Sequence, residues 1–281
     1  MKKFAALAVA GCMAVSLAAC GGSASAPASS EAASTESAAT SAAESAAESV
    51  TEATQGGKVG VCIYKFDDAF MTTYRNALQE ILEGKGYEVT IVDGNNDQAK
   101  QNEQINTFIT QGVDALIINP VMTSAADQII STVKDADVPT VLINREPTAD
   151  QMSAYDKLVY VGCDAAQSGT FQGELILDTE NKGDINGDGK VSYIMIQGDP
   201  ENIDAQLRTE YSVKALTDAD KEVECLYEYL DNWDQTTAQQ DVANALSQYG
   251  DKIEVVFCNN DAMALGALQS IEQAGRTVGK D

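Results

Sequence analysis

The segment from Asp184 to Ser192 has the residue types and spacing of a calcium-binding loop. Four positions carry side-chain oxygens, the first, third, fifth and ninth: Asp184, Asn186, Asp188 and Ser192. Gly189 occupies the sixth position, where the chain must turn sharply, and Lys190 offers a backbone carbonyl at the seventh. The twelfth position, which normally supplies a bidentate Glu, is Met195. The segment is therefore either a polar turn that matches by chance or a calcium loop whose last ligand comes from elsewhere in the chain.

A second set of side chains follows the ends of short apolar runs and contains no pair of nucleophile and base. Its members are polar, planar or aromatic: Asp67, Asp68, Phe70, Asn119, Asn144, Arg145, Glu146, Asp204, Arg208, Trp233, Asn260 and Asp261. Asp, Asn and Arg can each bond two adjacent sugar hydroxyls, and aromatic rings pack on the apolar face of a pyranose. The set therefore favours a sugar-binding site. The alternatives are helix-core packing for Phe70 and Trp233 and a solvated surface for the charged residues.

Alternation of apolar runs with amphipathic stretches predicts the elements that position these residues. The runs are β-rich and span residues 59–64, 88–92, 115–119, 140–144, 158–162, 191–196, 223–229 and 253–258. Strands that alternate with helices indicate an α/β fold with parallel sheets, in which ligands bind at the carboxyl ends of the strands. Eight strands exceed one five-stranded unit, so we expect two doubly wound, Rossmann-like lobes joined near residues 144–147.

Composition excludes several classes of function. The net charge of −25 argues against a nucleic-acid partner and against direct adhesion to an anionic surface. The chain has no His, so the Ser-His and Cys-His nucleophile pairs are absent. Four cysteines follow residue 57, at Cys62, Cys163, Cys225 and Cys258, and their spacing does not argue for a disulfide.

The first twenty residues are predicted to be a lipoprotein signal peptide. A basic start and an apolar run of small residues end in a sequence that resembles a lipobox, with Cys20 as the lipidated residue. Cys12 at a second, shorter match and an ordinary cleaved signal are the alternatives. Residues 21–57 are rich in Ser, Ala and Glu and predict a disordered tether. The protein is thus expected outside the cytoplasm, anchored on the outer face of the cytoplasmic membrane.

Five segments carry a resemblance to a known family, in order and with matching spacing: residues 59–71, 96–102, 144–147, 204–209 and 259–267. Together they resemble the galactose/glucose-binding proteins of bacterial ABC transporters, from about residue 58 to the end of the chain. The resemblance implies the type I periplasmic binding protein fold, with residues 58–145 as the N-terminal lobe and 146–281 as the C-terminal lobe.

The resemblance also implies the roles of individual residues. Two aromatic residues, Phe70 and Trp233, would stack on the sugar. The implied hydroxyl contacts are Asp68, Asn119, Asp204, Arg208 and Asn260. The His of the family corresponds to Asn202, whose shorter reach puts the affinity and the choice between galactose and glucose in question.

The family carries a structural calcium loop whose bidentate Glu comes from a distant strand. By motif that residue is Glu254, which joins Asp184, Asn186, Asp188, Ser192 and the carbonyl of Lys190. Ser192 stands where the family often has Gln, and it could coordinate through water. We therefore expect a stabilising calcium ion rather than a switch.

Family members continue beyond the residue that matches Asp281, with further strands of both lobes. The resemblance thus implies that the last strands are missing here, and we expect the 281 residues alone to bind sugar weakly or not at all.

The function expected from the sequence is capture of galactose or glucose for uptake, with no chemical reaction. The partners would be an ABC permease with its ATPase and, in some systems, a chemoreceptor. Three alternatives stay open: a binding protein for ribose or xylose, a secreted glycosidase, and a sugar-responsive repressor of the same fold, against which the export signal counts.

Overall fold

The computed structural model describes residues 56–280, so the predicted signal peptide and lipidation site and residues 21–55 of the predicted tether lie outside the described residues. The strands are β1 Lys58–Ile63, β2 Glu88–Asp93, β3 Ala115–Ile118, β4 Thr140–Ile143, β5 Leu158–Val161, β6 Lys190–Gln197, β7 Glu222–Leu230 and β8 Val255–Cys258. The α-helices are α1 Ala69–Gly84, α2 Gln98–Gln111, α3 Ala126–Asp135, α4 Ala149–Ser153, α5 Ala165–Leu177, α6 Ile203–Asp218, α7 Gln235–Tyr249 and α8 Asp261–Gln273. Each of the eight predicted apolar runs contains or overlaps one strand.

Five parallel strands form the first sheet, in the order β2-β1-β3-β4-β5. Strands β1, β3 and β4 are central, and they are almost wholly buried because helices cover both faces of the sheet. On one face Ile105 and Phe108 of α2 pack with Ile129 of α3, and on the other Met71 of α1 packs with Val61. These two cores hold the strands rigidly, which fixes where the residues after each strand end lie.

The position of β5 corrects the predicted boundary between the lobes. β5 pairs in parallel with β4, from Thr140 opposite Leu158 to Ile143 opposite Val161. The chain therefore crosses to the second sheet after β5, and not at the boundary between residues 145 and 146. The sequence could not distinguish these cases, because a short buried strand has the same composition in either sheet.

The second sheet of the described residues has the order β7-β6-β8, again parallel. Its central strand β6 is buried over Val191–Ile196, between α5 and α6 on one face and α7 and α8 on the other. Both sheets belong to one compact unit. The prediction of an α/β fold with parallel sheets in two lobes is confirmed.

Helix starts determine much of the site, because several helices begin directly after a strand. Asp68 caps α1, Asn202 caps α6 and Asn260 caps α8, each by accepting a hydrogen bond from a backbone N–H of the first turn. The same side chains stand at the carboxyl edge of a sheet, where a ligand would bind. Within the described residues, no helix has the length and apolar character needed to cross a membrane.

Candidate functional site

A cavity of about 1040 Å³ opens at the carboxyl ends of the strands, between the two lobes. Seven of the eight residues predicted to bind sugar line it: Asp68, Phe70, Asn202, Asp204, Arg208, Trp233 and Asn260. Part of the cavity continues past the cleft along β8 and α8, where Val255 and Leu268 line it. The volume of the cleft proper is therefore smaller than that of the whole cavity.

Asp68 is buried and joins the two lobes. Its Oδ1 accepts from the backbone N–H of Met71 at 2.7 Å, which caps α1. Its Oδ2 accepts from the hydroxyl of Tyr64 at 2.8 Å and from the side-chain amide of Asn260 at 3.2 Å. Asp68 and Asn260 come from different lobes, so this hydrogen bond links the two lobes across the cleft.

The first turns of α6 supply a buried carboxylate that lacks a complete set of partners. Asp204 is only 4% exposed, and its Oδ1 has no hydrogen-bond donor among the described residues. Burial raises the pKa of this carboxyl, while the charges of Arg208 and Arg145 oppose the rise. A buried acceptor without a donor costs roughly 1–3 kcal/mol, so this oxygen is poised to accept from a ligand.

Arg208 lies one turn further along α6. Its Nη1 donates to the carbonyl of Asn259 at 3.0 Å, and its Nη2 donates to Sγ of Cys163 at 3.3 Å. The guanidinium therefore connects the end of β8 with the segment after β5, on the wall of the cavity.

Trp233 is buried and lies on a strained loop after β7. Both Asn232 and Trp233 have φ in the left-handed region, at 49° and 68°. A Cβ at Gly198 would lie 2.3 Å from the indole ring, so only glycine permits this packing. The indole Nε1 has no acceptor within residues 56–280, whereas the backbone carbonyl accepts from Nζ of Lys65 at 3.2 Å. Lys65 belongs to the other lobe and was not predicted from the sequence.

Phe70 is the most exposed member of the set. It is 47% exposed and lines the cavity, with its ring 5.9 Å from that of Tyr74. Phe70 is therefore not buried in a helix core, which was the alternative interpretation of this residue. Its open face is available to a flat apolar surface.

Asn119 differs from the other predicted residues. It is fully buried and does not line the cavity. Its amide donates to the carbonyls of Pro120 and Ile143, both at 3.4 Å, and its Oδ1 accepts from Asn144 at 3.5 Å. These bonds tie the ends of β3 and β4 together, so the structure gives Asn119 a supporting position behind the cleft.

One residue that lines the cavity, Arg145, was not among the residues predicted to bind sugar. Arg145 is buried, its guanidinium lies 4.9 Å from the ring centroid of Tyr64, and it donates to the carbonyl of Val121. Its burial lowers its pKa, and the charges of Asp199, Asp204 and Asp68 act in the opposite sense. Its position directly after β4 was the available signal, as for the other site residues.

The predicted calcium loop folds as a tight turn to which Glu254 is bonded. Glu254 accepts from the backbone N–H of Asn186 at 2.9 Å and of Ser192 at 2.8 Å. Asp184 accepts from two backbone N–H groups of the loop, and Asp188 from that of Lys190. The loop and the start of β8 are therefore joined through the residue that the family resemblance indicated.

The loop offers carboxylate, amide, hydroxyl and carbonyl oxygens, which Ca²⁺ prefers as ligands, at the chain positions of a calcium loop. Gly189, the turn position of the loop, has a φ of 93°, which only glycine adopts readily. Within residues 56–280, however, no three His, Cys, Asp or Glu side chains converge closely enough to hold a metal ion. Binding would require the carboxylates to exchange backbone N–H donors for the ion.

Two lobes of parallel sheet with polar residues converging on a cleft between them define a ligand-binding protein. Residues 59–281 match the family described as periplasmic binding protein domain, and the chain belongs to that family. The prediction of a binding protein rather than an enzyme is confirmed. Because this is a family of periplasmic proteins, the predicted export is supported as well, whereas the lipid anchor stays a prediction.

Among similar proteins are two of known sequence. The D-galactose/methyl-galactoside binding periplasmic protein of Haemophilus influenzae is 36% identical over 226 residues, which cover 79% of this chain and 68% of that one. A putative rhizopine-binding protein of Rhizobium meliloti is 35% identical and matches 80% of this chain and 71% of its own length.

Solved structures resemble the fold closely. A galactofuranose binding protein superimposes with a TM-score of 0.70 at 24% identity, covering 79% of this chain and 73% of that one. An ABC transporter solute binding protein from Bacillus halodurans with bound myo-inositol has a TM-score of 0.66 at 29% identity, with coverage of 79% and 73%.

Proposed function

We propose that the protein binds a monosaccharide, D-galactose or D-glucose, in the cleft and presents it to an ABC permease. The observation that carries this proposal is that two residues lining one cavity, Asp204 and Trp233, each have a buried polar atom with no partner among residues 56–280: Oδ1 of Asp204 and Nε1 of Trp233. One is an acceptor and the other a donor, and a sugar hydroxyl can serve both kinds of group. The similarity to a galactose-binding protein supports the choice of sugar.

The geometry supports hinge closure as the mechanism. Two bonds already cross the cleft, from Asn260 to Asp68 and from Lys65 to the carbonyl of Trp233. A sugar that contacts residues of both lobes would add to these bonds and so stabilise the closed form. A sugar hydroxyl that donates to Asp68 would take the place of Asn260, whose amide would then be available to the sugar.

A thermal-shift panel of galactose, glucose, ribose, xylose and myo-inositol tests this function. We expect galactose or glucose to raise the melting temperature most, because a ligand stabilises the state that it binds. Each sugar is titrated to high concentration, so that weak binding is also detected. A larger shift with ribose or xylose would contradict the choice of sugar, and no shift with any member would contradict sugar binding.

A structural calcium ion is the second part of the proposal. Its ligands would be Asp184, Asn186, Asp188, Ser192, Glu254 and the backbone carbonyl of Lys190. A Ca²⁺ ion there would neutralise the carboxylates of the loop and hold it to β8 more firmly than the hydrogen bonds of Glu254 alone.

Removal of calcium should lower the melting temperature, and Glu254→Gln should abolish the difference between calcium and EDTA. The variant weakens the loop in either condition, so the informative quantity is that difference. Glu224→Gln is the matched control, because Glu224 pairs with Lys190 at 2.8 Å but is not a proposed ligand. Melting curves equal with calcium and EDTA in the wild type would refute the ion, and calorimetry with CaCl₂ gives its affinity directly.

Three further partners are also part of the proposal. They are the membrane, through a lipid on Cys20, an ABC permease with its ATPase, and a chemoreceptor. Cys20 lies outside the described residues, so these proposals depend on the sequence and on the family.

A further inference from the structure

We propose that Cys163 is a site of thiol–disulfide exchange and that its modification blocks the ligand cleft. The proposal depends on the sugar-binding function proposed above, because loss of sugar binding is its consequence. The modifying partner is a low-molecular-weight disulfide.

Cys163 lies directly after β5 and is exposed on the wall of the cavity. Its Sγ accepts from Nη2 of Arg208 at 3.3 Å, and Oγ of Ser168 lies at 3.8 Å. The thiol thus touches a guanidinium that also holds the carbonyl of Asn259. A group attached to Sγ would either occupy the cavity beside Arg208 or displace Arg208 from its position.

The other three thiols of the described residues lack this combination. Cys62 is fully buried, and burial raises its pKa to about 12. Cys258 lines the cavity, but burial raises its pKa to about 12 as well, so its thiolate is scarce at neutral pH. Cys225 is exposed on β7 but does not line the cavity.

An independent observation shows that the space beside Cys163 is a ligand position. Oδ1 of Asp204 is buried in the same cavity without a donor, and the charge of Arg208 acts on that carboxyl. A ligand that donates to Asp204 would therefore lie in the cavity that Arg208 and Cys163 also line. A bulky group on Cys163 would compete with the ligand for that volume.

The exchange step is balanced without an added oxidant or reductant. The thiolate of Cys163 attacks one sulfur of the partner disulfide, the S–S bond of the partner breaks, and a new S–S bond forms to Sγ. The second half of the partner leaves as a thiolate and takes up the proton that Cys163 released. A thiol reagent reverses the step by the same route.

The test treats the full chain with oxidised glutathione and measures both labelling and sugar binding. Intact-mass analysis with peptide mapping should find one glutathionyl group on Cys163, added more slowly when galactose is present. Calorimetry should find an affinity for galactose reduced by roughly tenfold or more, and restored by dithiothreitol.

Two variants separate the site from general thiol damage. Cys163→Ser retains an acceptor for Arg208, and the ratio of its affinities before and after treatment should be close to one. Cys225→Ser should remain as sensitive as the wild type. Equal loss of binding in Cys163→Ser, normal binding by protein labelled at Cys163, or faster labelling of Cys225 than of Cys163 would overturn the proposal. If the untreated protein binds no sugar, the proposed function fails, while the relative labelling rates still test the reactivity of Cys163.

Discussion

Replacing Asp204 by alanine should weaken sugar binding by roughly 10²–10³-fold, because truncating one partner of a buried, charged hydrogen bond costs about 2–5 kcal/mol in a complex. The same substitution should not lower the stability of the free protein. Asp204 is 4% exposed, and its Oδ1 has no hydrogen-bond donor in the described part of the chain. Its burial is therefore unfavourable until a ligand arrives, and only the complex recovers that cost.

The substitution should lower the affinity for sugar but should not lower the stability of the free protein. Burial raises the pKa of Asp204, so the charged form is disfavoured in the fold, and removing the carboxyl removes that penalty. Some stabilisation is lost as well, since an acidic residue in the first turn of α6 interacts favourably with the helix dipole. We expect the melting temperature of the free variant to be unchanged or slightly raised.

Asp218→Ala is the matched control for this prediction. Asp218 lies at the far end of the same helix and pairs with Lys214 at 2.7 Å on the surface. Its removal should leave the affinity unchanged, because the residue is outside the cavity. Calorimetric titration and thermal melts of both variants measure the two effects separately. An Asp204→Ala protein that binds like the wild type would exclude Asp204 from the site.

The local elements could be predicted from the sequence because each has its own signal. Runs of β-branched residues indicate buried strands, and Asp or Asn directly after a run indicates both a helix cap and a position at the ligand edge. Asp68 and Asn260 illustrate this, since each caps a helix and also lines the cavity. For these residues one pattern predicts the fold and the site together.

The features that the sequence did not predict depend on distant contacts. Asn119 also follows a strand, but its amide donates to the carbonyl of Ile143 at the end of β4, and the residue does not line the cavity. Membership of β5 in the first sheet depends on pairing with β4, for which a four-residue strand carries no signal. Lys65 contacts Trp233 across 168 positions of sequence, and only the folded chain shows that bond.

Replacing Asp231 by asparagine should stabilise the protein at pH 8 by on the order of 2 kcal/mol and remove much of its pH dependence. Asp231 is 2% exposed, and neither carboxylate oxygen has a donor among the described residues when the group is ionised. Burial raises its pKa to about 7, and a hydrogen bond with the carboxyl of Asp241 and the charge of Asp234 contribute to the rise. The two carboxyls can share a bond only when one is protonated.

The pH window follows from the direction of the shift. The folded pKa of about 7 lies above the ordinary value of 3.8, so the fold favours the protonated form. The wild type should therefore lose stability as the pH rises from about 4 to about 7 and lose no more from this group above that. Tyr229 and Cys258 also lie near Asp231, and their raised pKa values keep both side chains neutral in this pH range.

Asp234→Asn separates this effect from a general loss of negative charge. Asp234 lies three residues away and caps α7, and its backbone hydrogen bond with Thr237 is the main cause of its lowered pKa. Asparagine also caps helices well. This variant should keep most of the pH dependence of the wild type, because burial and the bond with Asp241, the larger causes of the raised pKa of Asp231, remain. Urea unfolding of the three proteins between pH 4 and pH 8 measures the difference. Parallel stability curves for Asp231→Asn and the wild type would show that the carboxyl is ionised in the fold throughout this range.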